Sequence, residues 1–319
     1  LQRRTLLTSL GALSISPWLL DCARKPPLEI GIHPWIGYET LYLARGFHWL
    51  PPSLRLQEGR GASELLAGLR AGKLDAACLT LDETLRARAE GIPLAVAMVF
   101  DASAGADAVL ARPGIPDLAA LPGRRLGVER NALGELMLAK VLEHSGLTAK
   151  ALTVVDLPVN QQLAAWHQGT VDAVISFEPT CTLLMREGAR VLFDSRQIPE
   201  TIFDVLAVRR DRVRDRRAAL AALVAGHFRG LSHLQTNRQD AIYRIAARQG
   251  VRPEEVGLAL GGVLLPSLAG NHAYLAAQGS RLLEAARAIS TILVRSGVLA
   301  REDTLDGLVS SAWLPQEGS

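Results

Sequence analysis

From Leu28 onward, short apolar runs alternate with amphipathic ones, and this alternation constrains the fold more than any other feature of the chain. Leu28–Ile32, Leu54–Gln57, Ala76–Leu79 and Leu94–Phe100 read as strands. Thr40–Phe47, Ala62–Ala71 and Asp82–Glu90 read as helices between them. In the second of these, Leu65, Leu66 and Leu69 share one face. Strand–helix–strand order implies crossover connections and a largely parallel sheet.

A second unit repeats the pattern. Ala108–Ala111, Arg125–Val128, Thr153–Asp156, Asp172–Ile175 and Arg190–Phe193 read as strands, with helices at Leu133–His144, Asn160–His167 and Thr180–Glu187. Phe203–Val208 reads as a strand again. Beyond it the chain is nearly all helix: Asp211–Leu234, Arg238–Gln249, Pro253–Gly261 with Pro in its first turn, and Leu282–Ser296. The chain crosses between units near Asp101–Asp107 and again near Pro199–Asp204. Two crossings imply a two-strand hinge with a cleft between lobes. The expected division is residues 28–103 with 204–315 as lobe 1 and residues 104–203 as lobe 2; 319 residues suffice for two domains.

Residues 1–22 stand apart. Arg3-Arg4 precedes an apolar run from Leu6 to Leu20 that is short for a bilayer span, which takes about 20 residues. A charged start and a short apolar core read as a secretory signal peptide. Cys22 closes Leu19-Leu20-Asp21-Cys22, which is similar to a bacterial lipobox and implies lipidation at Cys22, although Asp21 stands where a small residue is expected. Export by a general or a twin-arginine route fits equally.

The charge is nearly balanced, 35 basic against 32 acidic residues, which argues against nucleic acid as a partner. Cys22, Cys78 and Cys181 lie far apart and none of the seven histidines forms a ligand-type pair, so no metal site and no cofactor is expected. Aromatic residues are scarce, and His33-Pro34-Trp35-Ile36-Gly37-Tyr38-Glu39 places two of them, with a Gly and an acid, on one strand-to-helix turn. In α/β proteins such turns open onto the ligand crevice.

With these junctions in place, the chain resembles the periplasmic solute-binding proteins of ABC transporters, in particular the nitrate/sulfonate/taurine and thiamine-precursor group. The resemblance spans residues 28 to 315. It rests on Trp35-Ile36-Gly37-Tyr38 followed by Leu41-Tyr42-Leu43-Ala44, on Leu69 to Ala77, on Glu178-Pro179 after an apolar strand, and on Phe203-Asp204-Val205-Leu206-Ala207-Val208-Arg209. It implies an α/β, two-lobed periplasmic-binding-protein fold of type II: two mostly parallel sheets, flanking helices and a two-strand hinge. Glu39 departs from the commoner pattern and implies a more acidic pocket mouth.

In such a fold the strand C-termini face one cleft and the following helices aim their N-termini at it. The candidate ligand shell is Trp35, Tyr38, Glu39, Thr80, Asp82, Asp101, Ser103, Asn131, Glu178 and Asp204. The aromatic pair suits stacking or enclosure. Thr80 and Asn131 also suit helix caps, Glu178 a dipole complement, and Asp101 and Ser103 a turn. Adding Glu83, Asp107 and Glu129 makes the shell rich in carboxylates, with Arg130 as the main basic group. A nitrate or sulfonate calls for Arg, Lys or bare helix N-termini. The acidic shell therefore favours an amine or aminopyrimidine-like ligand.

The resemblance thus implies an exported, lipid-anchored, monomeric binding protein of the periplasm or cell envelope that delivers a small solute to an ABC permease. A sulfonate/nitrate-type ligand, and a sensing role at a membrane receptor, stay open. A pyrimidine synthase of thiamine biosynthesis shares the fold, but an enzyme of that kind implies a cytosolic chain with a reactive Cys/His cluster, so catalysis is not expected.

Overall fold

The computed structural model describes residues 25–277 and 279–316. The expected signal segment, residues 1–22 with Cys22, lies outside the described residues. The chain opens with β1 (Leu28–Ile32), α1 (Glu39–Gly46), β2 (Leu54–Glu58), α2 (Ala62–Arg70), β3 (Ala76–Thr80), α3 (Leu81–Ala89) and β4 (Leu94–Ser103). It continues with β5 (Asp107–Ala111), β6 (Arg125–Val128), α4 (Ala132–Ser145), β7 (Thr153–Asp156), α5 (Val159–His167), β8 (Ala173–Phe177), α6 (Thr180–Arg186) and β9 (Arg190–Asp194). The return is β10 (Phe203–Arg209), α7 (Arg210–Val213), α8 (Arg217–Thr236), α9 (Arg238–Gln249), α10 (Pro253–Leu260), β11 (Val263–Leu264), α11 (Leu268–Tyr274) and α12 (Arg281–Arg295).

These strands form two sheets, in the orders β11-β4-β10-β3-β1-β2 and β7-β6-β8-β5-β9. The chain passes from the first to the second between β4 and β5 and returns between β9 and β10. Both sheets are mixed rather than mostly parallel. β1 runs parallel to β2 and β3, and β6 parallel to β7 and β8, while β10, β11 and β5 pair antiparallel with their neighbours. The reason is the double crossing. A strand–helix–strand unit ends each strand at the cleft edge, whereas β5 and β10 arrive from the other sheet and must start there.

β4 is buried at all ten positions, as a strand covered on both faces must be. One core cluster joins Trp35, Tyr38, Phe100 and Phe203 of the first sheet's layers to Val109 and Phe193 of the second. α4 of the second unit packs against α3 and α12 of the first. The helix expected from Asp211 is split into α7 and α8. Arg212 and Arg216, and Arg214 and Arg217, would stack like charges along a continuous helix.

A buried carboxyl cluster floors the interlobe cleft

The strand edges of the two sheets meet around a cavity of about 420 Å³. Its floor follows from strand pairing. β10 inserts between β3 and β4, so Asp204 stands opposite Thr80 on one side and Asp101 on the other. Three residues far apart in sequence thus form one row. Across the first crossing, Asp107 opens β5 beside Phe177 of β8.

Trp35 lines the cavity, as expected. Its indole Nε1 donates to Asp101 Oδ2 at 3.0 Å, and its ring meets Phe177 of the other lobe edge-on at 5.9 Å. Gly37 makes this possible, because a Cβ there would lie 1.7 Å from Asp101 Oδ2 and 2.7 Å from Trp35 Nε1. Tyr38 does not enclose the cavity. It is fully buried, packed edge-on against His33 and Phe100, and its hydroxyl donates to Asp204 Oδ1. Its ring completes the core while its polar handle orients a floor acid.

Glu39 is also displaced from the expected site. It is 1% exposed and faces α9, where Arg248 Nε donates to it at 2.9 Å and Gln249 Nε2 at 2.7 Å. Arg248 in turn sits over the Tyr42 ring, 3.8 Å from its centre. A carboxylate buried in the first turn of α1 needs a cation, and α9 supplies it. Ser103 serves the hinge instead of the cavity: its hydroxyl pairs with Ser195 Oγ at 2.7 Å, and Ser195 Oγ accepts from Gly105 N at 2.6 Å.

Thr80, Asn131 and Asp204 line the cavity, whereas Asp82, Asp101 and Glu178 lie behind the lining. Several of these groups cap helices. Glu83 accepts from Thr80 N at 3.0 Å at the start of α3, and Asn131 Oδ1 accepts from Gly134 N at 2.8 Å in α4. Glu178 accepts from Thr182 N at 3.1 Å and Thr182 Oγ1 at 3.0 Å in α6. Glu129 makes long contacts with Val159 N at 3.4 Å in α5 and with Ser63 Oγ at 3.5 Å in α2, bridging the two lobes at the mouth. The positive ends of the helices around the cleft are therefore largely taken by the chain's own oxygens.

Among the described residues, several further acceptors have no donor. Both oxygens of Asp82, Oδ1 of Asp101 and Oδ2 of Asp107 are buried without a hydrogen-bond partner. Burial pushes the Asp107 carboxyl up to about 7, with Asp82 and Glu178 adding to the effect and Ser103 opposing it. Burial likewise raises Asp82; the Thr80 hydroxyl and the first N–H groups of α3 lie near enough to oppose the rise but do not reach hydrogen-bond geometry. Burial and then the Asp82 charge raise Glu83; burial, followed by Asp101, raises Asp204. Asp101 is raised by burial and by Asp107, against its bond from Trp35.

Cations are scarce here. Arg130, the basic group expected in the shell, pairs with Glu135 and does not line the cavity. Arg60 does line it, but its side chain is 85% exposed and paired with Glu64 at 3.3 Å. His33 also lines the cavity, and burial lowers it to about 4, which keeps it neutral at pH 7. His33, Arg60, Ser63, Phe177 and the Pro158–Gln161 turn escaped the sequence reading. The Gly59-Arg60-Gly61 and Leu157-Pro158 junctions, each just before a helix, are the signals that mark the two turns.

Comparison with known proteins agrees with this architecture. The periplasmic aliphatic sulphonate binding protein SsuA of Escherichia coli superposes with a TM-score of 0.73 at 17% identity, over 90% of this chain and 98% of that one. The desulfurization enzyme DSZB superposes with a TM-score of 0.65 at 18% identity, over 90% and 97%. The chain thus has the periplasmic binding protein fold, which carries both binding and catalysis. The taurine-binding periplasmic protein of Escherichia coli (strain K12) is 25% identical over 154 residues, 47% of this chain and about half (48%) of that protein's length. The NMT1/THI5 like family model matches residues 53–241, more than half of the sequence, and the chain belongs to that family.

Proposed function

We propose that this chain is the substrate-binding protein of an ABC importer, and that it captures a small cationic or donor-rich solute of the amine or aminopyrimidine kind. Residues 28–103 with 204–315 and residues 104–203 act as two lobes that close on the solute, and the closed form delivers it to the permease. The carrying observation is the polarity of the cleft. Unpartnered oxygens stand at its lining, on Asp107, and directly behind it, on Asp82 and Asp101, and Glu83, Glu129, Asn131 and Glu178 occupy the helix starts that an oxyanion would use. Trp35, Thr80, Asp107, Asn131 and Asp204 line the cavity, with Asp82, Asp101 and Glu178 behind them.

A binding rather than a catalytic role is supported by the two described cysteines, Cys78 and Cys181. Both are buried and burial pushes both thiols up, away from the thiolate a nucleophile requires. The kinship with a periplasmic protein supports a place in the periplasm, and Leu19-Leu20-Asp21-Cys22 after a short apolar run supports an anchor at Cys22.

A sulfonate ligand is the second reading. It is favoured by the names of the taurine- and sulphonate-binding relatives and by α2, whose N-cap Gly61 offers no side-chain cap beside Arg60. A thermal-shift screen with amines, aminopyrimidines, sulfonates and nitrate separates the two. A ligand at about 100 times its Kd stabilises the fold by about 2.7 kcal/mol. A shift with the nitrogenous bases is expected; a shift with a sulfonate and none with any base overturns the first reading.

A further inference from the structure

We propose that the cleft takes its cation in exchange for protons: the buried carboxyl cluster around Asp107 is proton-loaded when empty and surrenders protons as N–H donors of a ligand replace them. This deepens, and rests on, the cationic-ligand reading.

The geometry carries the inference. Asp101 and Asp204 are cross-strand partners on β4 and β10, a position in which two like charges repel directly. Asp107 adjoins Asp101 across the crossing, and it feels both Asp82 and Glu178. Like charges this close in a low-dielectric site cannot all ionise. In addition, each of Asp101, Asp204 and Glu178 has an oxygen held by a donor from the protein: Trp35, Tyr38 and Thr182 respectively. The acids are thereby oriented, while Asp82, Asp101 and Asp107 keep oxygens with no hydrogen-bond partner among the described residues: Asp107 at the lining, open to a ligand donor, and Asp82 and Asp101 behind it, where a proton meets the need.

Among the described residues, no neighbouring group neutralises the cluster from another element. His33, at the end of β1, is held neutral. Tyr38, Cys78 on β3 and Cys181 on α6 are all pushed up by burial and stay uncharged. Glu129 and Glu178 are carboxyls raised by burial themselves. The one cation of the lining among the described residues, Arg60, is solvent-exposed and paired with Glu64.

The charges balance simply. For each positive charge a ligand brings in, one carboxyl proton leaves to solvent, and the cluster's net charge with ligand is unchanged; agmatine, a dication at neutral pH, displaces two. A quaternary ammonium supplies the charge but no N–H, so it leaves the unpartnered oxygens unmet.

Two measurements on the full chain test this. Potentiometric titration of the empty protein should find wild type holding about one extra proton near pH 6, where an ordinary Asp holds none, for each acid removed in the Asp82→Asn and Asp107→Asn variants. Equal proton uptake by wild type and both variants overturns proton loading without any ligand being involved. Calorimetry with agmatine, in phosphate and in Tris at one pH, reads proton release directly. Each proton released makes the agmatine Kd tighten by about tenfold per pH unit as pH rises toward the range of the cluster, so its two charges give up to about a hundredfold. Binding with no buffer dependence overturns the exchange and leaves the cationic reading standing. No agmatine heat, with a normal titration difference, overturns the cationic reading and spares the proton-loaded cluster.

Discussion

Two buried carboxylates, Glu39 and Asp82, open helices of the same lobe and have opposite fates. Glu39 is 1% exposed and is met by Arg248 and Gln249 of α9. Asp82 is 0% exposed and neither of its oxygens has a partner. A buried charge must be paired, hydrogen-bonded or neutralised. The α1–α9 seam meets that demand from within, so Glu39 belongs to the scaffold. The cleft floor does not, so its demand passes to protons or to a ligand. Burial of an acid is thus not what marks the site; the missing partner is.

The largest expected effect lies on the seam. Glu39→Gln strands Arg248, whose side chain is 24% exposed, beside a neutral amide. Breaking one half of a buried pair costs about 3 kcal/mol or more. The melting temperature should fall by several degrees while ligand affinity stays unchanged; equal stability would erase the contrast with Asp82. Next comes Gly37→Ala. Its Cβ must displace Asp101 or Trp35, which costs about 1–3 kcal/mol by overpacking and pulls the indole off the floor. Both melting temperature and affinity should drop, whereas a neutral result would mean that this turn yields easily.

A smaller and opposite effect is expected at the floor. Asp107→Asn removes an acid that burial disfavours, so the empty protein should be more stable above pH 7, by about 1 kcal/mol, in denaturant titrations. The same change should weaken binding of an amine about tenfold, a lost charge-assisted hydrogen bond. The smallest effect is the pH trend of the empty wild type. The floor acids have folded pKa values above their unfolded ones, so between those values the native state holds more protons. Their stabilising contribution is complete below the unfolded value and is lost as pH rises through the folded value, about 7 for Asp107. His33 and His227, lowered to about 4 and about 3, act oppositely, but only below about pH 6.5. Stability should therefore fall as pH rises from about 6.5 to 8; a rise there would mean that the floor acids are ionised in the fold.

Much of this was legible in the sequence. The alternation of strands and helices locates nearly every element, and the acids at the junctions announce an acidic cleft. Periodicity cannot reveal pairing across long separations. Asp204 joins Thr80 and Asp101 only because β10 slips between β3 and β4. The same limit governs Glu39, whose partner Arg248 is 209 residues away. Trp35 and Tyr38 look alike on one turn, yet one ring faces the cavity and the other the core. The direction of each side chain is set by the short 3-10 turn at Ile36–Tyr38, which the sequence reading did not resolve.

The most direct test melts wild type, Glu39→Gln and Asp82→Asn side by side at about pH 8, with and without agmatine. The account predicts that Glu39→Gln melts lower than wild type and keeps its agmatine shift, while Asp82→Asn melts higher and loses most of it. An agmatine shift kept by Asp82→Asn and lost by Glu39→Gln would contradict it.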